Sequence, residues 1–336
     1  MTIVLSILIF GLLILVHEFG HFIVAKLADV KIDEFSLGMG PKVMQKKKGE
    51  TVYSLRWFPI GGFVKMAGME PGEDDEPRGF NKKTVLQRAA IIFAGPLMNF
   101  ITALVLFILV FMVVGIPSDT NVIGKVVSGA PAETAGLKSG DKIIQIQGTQ
   151  VATWKEMVLA IRQHPQETIK LIVLRDGSKK EITVVPEKDP DTGNGQIGIL
   201  QSWERKGFFT SITLGLERTY EFTKLLVVSL GQMITGTVKA EVAGPIGVVQ
   251  MVGEVARYGL ASIMTFAGIL SINLGVINLF PIPALDGSRL VFLGLEGVRG
   301  CPIDPEKENF VHLIGFALLM ILMVVITYND ILRLIS

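Results

Sequence analysis

Apolar residues dominate four stretches of this chain, at residues 3–24, 89–114, 261–285 and 310–328, each long enough for a helix that crosses a bilayer. The second is the cleanest, since residues 89–114 carry no charge and only Gly95-Pro96 and Asn99 interrupt the apolar run. At about 1.5 Å per residue such a helix spans a hydrocarbon core of roughly 30 Å. Between the second and third runs the pattern changes to short alternating segments. Residues 122–127, 142–146, 168–174 and 181–185 read as strands, Arg175-Asp176-Gly177-Ser178 reads as a hairpin turn, and helices are expected after Pro131 and over 153–163.

These patterns predict a polytopic α-helical membrane protein with about four transmembrane helices and an inserted α+β domain. Residues 1–115 form the first half of the membrane core, with two helices joined by a loop at 25–88. Residues 116–203 form the inserted domain, 204–260 an amphipathic linker on the membrane surface, and 261–336 the second half of the core. Residues 208–234 are rich in Leu, Val and Phe but carry Glu217, Arg218, Glu221 and Lys224. A surface helix leaves those charges in water, whereas a crossing would bury them. The choice has a consequence, because a fifth crossing would put residues 20 and 286 on opposite faces of the membrane.

Composition agrees with this class: 336 residues, 49% apolar, with a formal charge of +1. No broad basic surface suggests nucleic acid, and the lone Cys301 can form neither an internal disulfide nor a thiolate cluster. Twelve Lys and Arg in residues 25–88 mark that loop as cytoplasmic, so the N-terminus and the inserted domain are expected outside. Glu73-Asp74-Asp75-Glu76 in the same loop reads as a solvated turn. The first apolar run resembles a signal-peptide core, yet it lacks a basic flank and a small-x-small site before its histidines, and is expected to stay as the first membrane helix.

The cytoplasmic loop also holds a strand-like run at 51–57, followed by Phe58-Pro59-Ile60-Gly61-Gly62-Phe63-Val64-Lys65-Met66. Paired glycines between apolar residues suit a membrane-associated β-hairpin that approaches another backbone closely. Such a hairpin either offers an edge to an unwound substrate or is an ordinary packed turn.

Candidate chemistry lies in the first apolar run, at His17-Glu18-Phe19-Gly20-His21. Histidines four apart on a helix share a face and can bind one Zn²⁺, with the intervening Glu as general base. Three ionisable groups at apolar depth are costly unless a metal, water or polar partners receive them, so the pattern points to hydrolysis within a bilayer. A catalytic zinc takes three protein ligands and leaves a position open. His312 and Asp286 are the remaining candidates in membrane-associated sequence. Asp286 is preferred because Pro281 and Pro283 break the third run just before it, allowing a short carboxylate to turn inward while Gly287 permits a sharp exit.

Together His17-Glu18-Phe19-Gly20-His21, Gly95-Pro96-Leu97-Met98-Asn99, Asn278 before the proline-containing stretch, and Leu285-Asp286-Gly287 resemble the site-2 protease family of intramembrane zinc metalloproteases. Within that family the chain resembles the bacterial branch with one extracytoplasmic PDZ domain. Ala135-Gly136-Leu137-Lys138-Ser139-Gly140-Asp141 is similar to the PDZ domains of envelope proteases, which bind peptides beside a sheet edge. The resemblance implies one catalytic Zn²⁺ on His17, His21 and Asp286, with Glu18 as base. It places Asn278 near the reacting peptide, holding substrate or an oxyanion if it does not simply pack, and gives Asn99 a related polar or structural role. Implied partners are single-pass membrane proteins such as anti-sigma factors, and signal peptide remnants, trimmed first by an extracytoplasmic protease. Two other functions remain open to the residues. A non-proteolytic PDZ scaffold would have no use for buried His, Glu and Asp, and a metal transporter would need a relay of sites across the bilayer.

Overall fold

The computed structural model describes residues 1–335 apart from 70, 71, 73–75, 191 and 239–242; most of the acidic run at 73–76 thus lies outside the described residues. The chain begins with α1 (Thr2–Leu27), a long pair of strands β1 (Ile32–Lys48) and β2 (Thr51–Met66), and α2 (Val85–Val113). There follow β3 (Ile116–Pro117), β4 (Ile123–Val126), α3 (Pro131–Thr134), β5 (Lys142–Ile146), β6 (Thr149–Gln150), α4 (Trp154–Arg162), β7 (Ile169–Arg175) and β8 (Ser178–Val184). Four short strands come next, β9 (Glu187–Lys188), β10 (Gly195–Gln196), β11 (Ile199–Gln201) and β12 (Trp203–Glu204). The chain ends with α5 (Phe208–Ile234), α6 (Pro245–Arg257), α7 (Leu260–Leu279), α8 (Asp286–Arg299) and α9 (Pro305–Ile335). Two compact units result, one from Met1–Val110 with Phe209–Ser336, the other from Phe111–Phe208.

In the first unit, four described helices are long and apolar enough to cross a membrane: Thr2–Leu27, Val85–Val113, Leu260–Leu279 and Glu306–Arg333. Helices surrounded by lipid gain little from hydrophobic burial against one another, so small residues must let their surfaces approach. That is seen here. A side chain at Gly20 of α1 would strike the carbonyl oxygen of Ala94 at 2.3 Å, and one at Gly275 of α7 would meet Pro96 O at 3.2 Å, which seats α2 between α1 and α7. Ser271 Oγ of α7 donates to Asn99 O at 2.8 Å across the same contact.

α5 is not among the four spanning candidates. Its Ser211 and Gly215 are buried and Phe222 stacks on Phe107 of α2, while Glu217, Arg218, Glu221 and Lys224 are exposed. Two helices escaped the sequence pattern. α6 is only thirteen residues, is capped by Asp330 of α9 through the amides of Gly244 and Gly247, and packs Val252 against Ile9 and Leu13 of α1. α8 carries so polar an exposed face that no apolar run announces it.

The strand pair turns back more than once. One tight turn lies at Gly49-Glu50, between Lys48 and its partner Thr51, and the chain reverses again between Leu55 and Gly62, so Gly61 and Gly62 open the returning arm of β2 where the sequence expected a hairpin. β1 residues Glu34–Leu37 are lined by Val52–Leu55 on one side and by Lys65–Gly62 on the other, so the ladder is folded back on itself. Gly61, at φ 93°, supplies part of the freedom that this second reversal needs, and Gly62 allows the close approach to Ser36. The turn is held from outside by Lys26 and Arg78, whose hydrogen bonds to Glu50 keep its carboxyl near 2.

The second unit has a four-stranded sheet in the order β6-β5-β7-β8. Ile123, Leu137, Ile143, Met157, Ile169 and Leu171 fill its core, each contributing about 1.5–3 kcal/mol by burial. The Arg175–Ser178 turn forms as the sequence predicts, with Asp176 and Gly177 both at positive φ, the signature of the tight hairpin turn that matches strand twist. Thr153 and Glu156 close a capping box on α4. Asp141 is buried and takes two bonds of 2.6 Å from Arg175 and one of 2.9 Å from the Lys138 amide. Burial pushes that carboxyl up, but Arg175 and the amide outweigh it and hold it low. Arg175→Leu is therefore expected to cost this unit about 3 kcal/mol at neutral pH, because the carboxylate stays buried without its cation. Amide hydrogen exchange of β5 and β7 in the intact chain measures it, and unchanged protection would contradict the assignment.

Candidate metal centre

Helix geometry puts His17 and His21 one turn apart on α1, and both are buried. The Nδ1 of His21 lies 2.8 Å from the carbonyl oxygen of Ile91. A carbonyl can only accept, so the proton is on Nδ1 and Nε2 keeps its lone pair. His17 Nε2 is 3.2 Å from that atom, and Asp286 Oδ2 stands 3.1 Å from His17 Nε2 and 3.4 Å from His21 Nε2. Zinc bonds of about 2.0–2.1 Å at tetrahedral angles require ligand atoms about 3.3 Å apart, so this triangle fits. Asp286 Oδ2 is moreover a buried oxygen with no hydrogen-bond partner among the described residues, as expected of an atom shaped for a cation.

Neighbouring residues shape the triangle. Gly95 faces the imidazoles so closely that a Cβ there would lie 2.3 Å from His21 Nε2 and 2.9 Å from His17 Nε2. Asn99 is fully buried with Nδ2 3.2 Å from His17 Nδ1. A metal-ready His17 carries its proton on Nδ1, so the amide presents Oδ1 there after a half-turn about its last torsion, and Asn99 becomes the partner that orients His17. Gly95 and Asn99, four residues apart, share one face of α2, and packing at Gly20 brings that face to the histidines.

Asp286 reaches the centre as the first residue of α8, after the break at Pro281 and Pro283. Gly287 was expected to supply a sharp exit through its conformational freedom. Its role is different: its backbone is ordinary, the positive φ of 78° falls on Ala284, and Gly287 is small because Leu279 O and Phe280 O lie 2.3 and 2.2 Å from where a Cβ would be. His312, the other candidate ligand, lies outside the group of described residues whose ligand atoms come within 4.8 Å of one another, namely His17, His21 and Asp286.

Glu18 is half-buried beside the two histidines, and a side chain at Gly62 would sit 3.2 Å from its Cγ and 2.9 Å from Ser36 O. The β2 backbone thus runs against the candidate base. Asn278 is half-buried on the last turn of α7 and makes no hydrogen bond to His17, His21 or Asp286 among the described residues. A cavity of about 740 Å³, lined by Ile92, Arg88, Arg289, Glu296 and Glu308, opens one turn of α8 beyond Asp286. Arg88 and Glu296 pair across it. In the second unit a separate groove of about 510 Å³ lies between α4 and β11, lined by Ala130, Trp154, Val158, Ile161, Ile197 and Ile199.

A metal triangle formed by one apolar helix and the start of α8, beside a carboxylate, defines a membrane-embedded metallohydrolase site. The chain belongs to peptidase family M50, whose model matches residues 5–322. It is 38% identical to the zinc metalloprotease RasP of Geobacillus kaustophilus over 98% of this chain and 97% of that one. A putative zinc metalloprotease of Clostridium acetobutylicum is 42% identical, again over 98% and 97%. The regulator of sigma-W protease RasP of Bacillus subtilis is 35% identical over 99% of each. Among solved structures, the PDZ domain of an SdrC-like protein from Listeria innocua is similar to 26% of this chain and 97% of its own, at 23% identity and a TM-score of 0.23. The protein is an intramembrane zinc metalloprotease of the site-2 family, which sets aside the scaffold and transporter readings.

Proposed function

We propose that this protein hydrolyses peptide bonds within transmembrane segments of single-pass proteins, with His17, His21 and Asp286 holding one zinc ion and Glu18 as general base. The observation that carries this is the triangle of ligand atoms 3.1–3.4 Å apart, with Glu18 beside it at apolar depth. When bound, zinc supplies Lewis-acid polarisation of the scissile carbonyl and lowers the pKa of water. Glu18 takes a proton from the attacking water and returns it to the leaving amine. Asn278, near the end of the unbroken part of α7, holds the substrate backbone, and Asn99 keeps His17 oriented. The cavity lined by Arg88, Ile92, Arg289 and Glu296 is the route we assign to water.

A substrate helix shields its peptide bonds by its own hydrogen bonding, so a stretch must unwind before it is cut. The β2 backbone at Gly61 and Gly62 offers that stretch a strand to pair with, next to Glu18. Gly62→Val is expected to reduce cleavage of a helical membrane substrate by about tenfold or more while leaving bound zinc unchanged, since the new side chain crowds Ser36 O and Glu18 but none of the metal-binding atoms. Equal turnover by the variant would rule out this edge.

The loop at 25–88 lies in the cytoplasm by its Lys and Arg content, and the inserted unit outside. Its PDZ-like groove, where β11 pairs only with β4 among the described strands, receives the external stub of a substrate already trimmed by another protease. Substrates of this kind include anti-sigma factors, in keeping with the name of the Bacillus subtilis relative, and signal peptide remnants. The test is a reconstituted assay on a tagged single-pass protein lacking most of its ectodomain. Cleavage within its membrane segment, lost on chelation and recovered with zinc, is expected; cleavage that survives complete removal of zinc would sink the mechanism.

A further inference from the structure

The path that delivers Asp286 is irregular, and something must hold it. Residues 280–285 join α7 to α8 through two local backbone bonds, Ile282 N to Phe280 O at 2.7 Å and Leu285 N to Ile282 O at 3.1 Å. Pro281 and Pro283 have no amide proton to give. Ala284 sits at φ 78°, a conformation that residues with a Cβ rarely adopt. Its amide donates to Nδ1 of His312, on α9, at 3.0 Å.

The rest of the His312 environment suits an acceptor. Because Nδ1 accepts, the imidazole proton is on Nε2, which faces Glu308 Oε1 at 3.6 Å. The ring stands edge-on to Phe292 of α8, with centroids 5.9 Å apart. One turn further along α9, Gly315 has no room for a side chain, since a Cβ would lie 2.3 Å from Pro283 Cβ and 2.5 Å from its carbonyl oxygen. α9 therefore grips the break at two points, Pro283 by contact and Ala284 by hydrogen bond.

We propose that His312 is a positioning residue for the metal centre: by accepting the Ala284 amide it holds the turn in the left-handed conformation that aims the Asp286 carboxylate at His17 and His21. This rests on the zinc reading of those three residues. Without the acceptor, Ala284 is released toward an ordinary backbone angle and the carboxylate two residues later is no longer aimed.

The experiment is zinc affinity, by chelator competition on the full-length protein in detergent, with circular dichroism to verify folding. His312→Phe keeps the ring against Phe292 and removes the acceptor, and is expected to weaken zinc binding by about 10–100-fold, the range for lost orienting partners of a metal ligand. His312→Asn presents Oδ1 where Nδ1 was and is expected to bind zinc within about threefold of wild type. Adding Ala284→Gly to His312→Phe is expected to recover part of the loss, because glycine takes φ near +80° without strain. A folded His312→Phe variant with wild-type zinc affinity overturns the proposal. If Phe at 312 prevents folding, the Asn variant decides: tenfold weaker zinc binding there overturns it as well. Wild-type protein that binds no zinc would overturn the metal centre itself, an outcome distinct from either of these.

Discussion

Glu18→Gln is expected to lower peptide cleavage by about 10²–10⁴-fold with zinc still bound at one ion per chain. The substitution keeps the shape of the side chain and removes its ability to take a proton. None of the three proposed ligand atoms belongs to residue 18, and each His is oriented by a group on α2, the Ile91 carbonyl for His21 and the Asn99 amide for His17. Affinity for zinc should therefore be unmoved while the proton-transfer step loses its acceptor. Measuring metal content and cleavage in the same preparations tests both halves, and full activity of the Gln variant would remove Glu18 from the mechanism.

Gly95→Ala should do the reverse, abolishing zinc binding without altering any ligand or the base. The added methyl would lie 2.3 Å from His21 Nε2, where about 3.0 Å is the closest tolerable approach. His21 would have to move by about 0.7 Å, well beyond the ±0.2 Å within which zinc distances fall. α2 cannot retreat to accommodate it, because Gly20 and Gly275 pack it between α1 and α7. Loss of zinc by at least a hundredfold in affinity, together with loss of cleavage, is the expected result. A Gly95→Ala variant that holds zinc normally would show that the helices have more freedom than their packing implies.

Much of the centre was legible because its signals are local. His17, Glu18 and His21 lie within one and a half turns of one helix, and helical periodicity alone puts the two imidazoles together. The broken run before Asp286 is marked by prolines, whose effect on a helix does not depend on context. The residues that complete the site were harder to read. Gly20 and Gly95 look like tolerated glycines in apolar helices until the α1–α2 contact brings one against Ala94 and the other against both imidazoles. His312 could be weighed only as a ligand, since a histidine that accepts a backbone amide has no sequence signature. Gly61 and Gly62 suggested a reversal, which the ladder places between Leu55 and Gly62, whereas the additional turn at Gly49-Glu50 carried no apolar pattern to announce it.

By itself the sequence determined which segments are long and apolar enough to cross a membrane, where a separate unit is inserted, and which residues could bind a metal and move a proton, since hydropathy, periodicity and donor chemistry belong to single segments of chain. Only the tertiary structure decided how closely α2 approaches α1, where β2 runs relative to Glu18, and what holds Asp286 on its strained approach. Those depend on contacts between residues far apart in the chain, made possible by small side chains at helix crossings and one hydrogen bond from Ala284 to His312, and no local pattern encodes them.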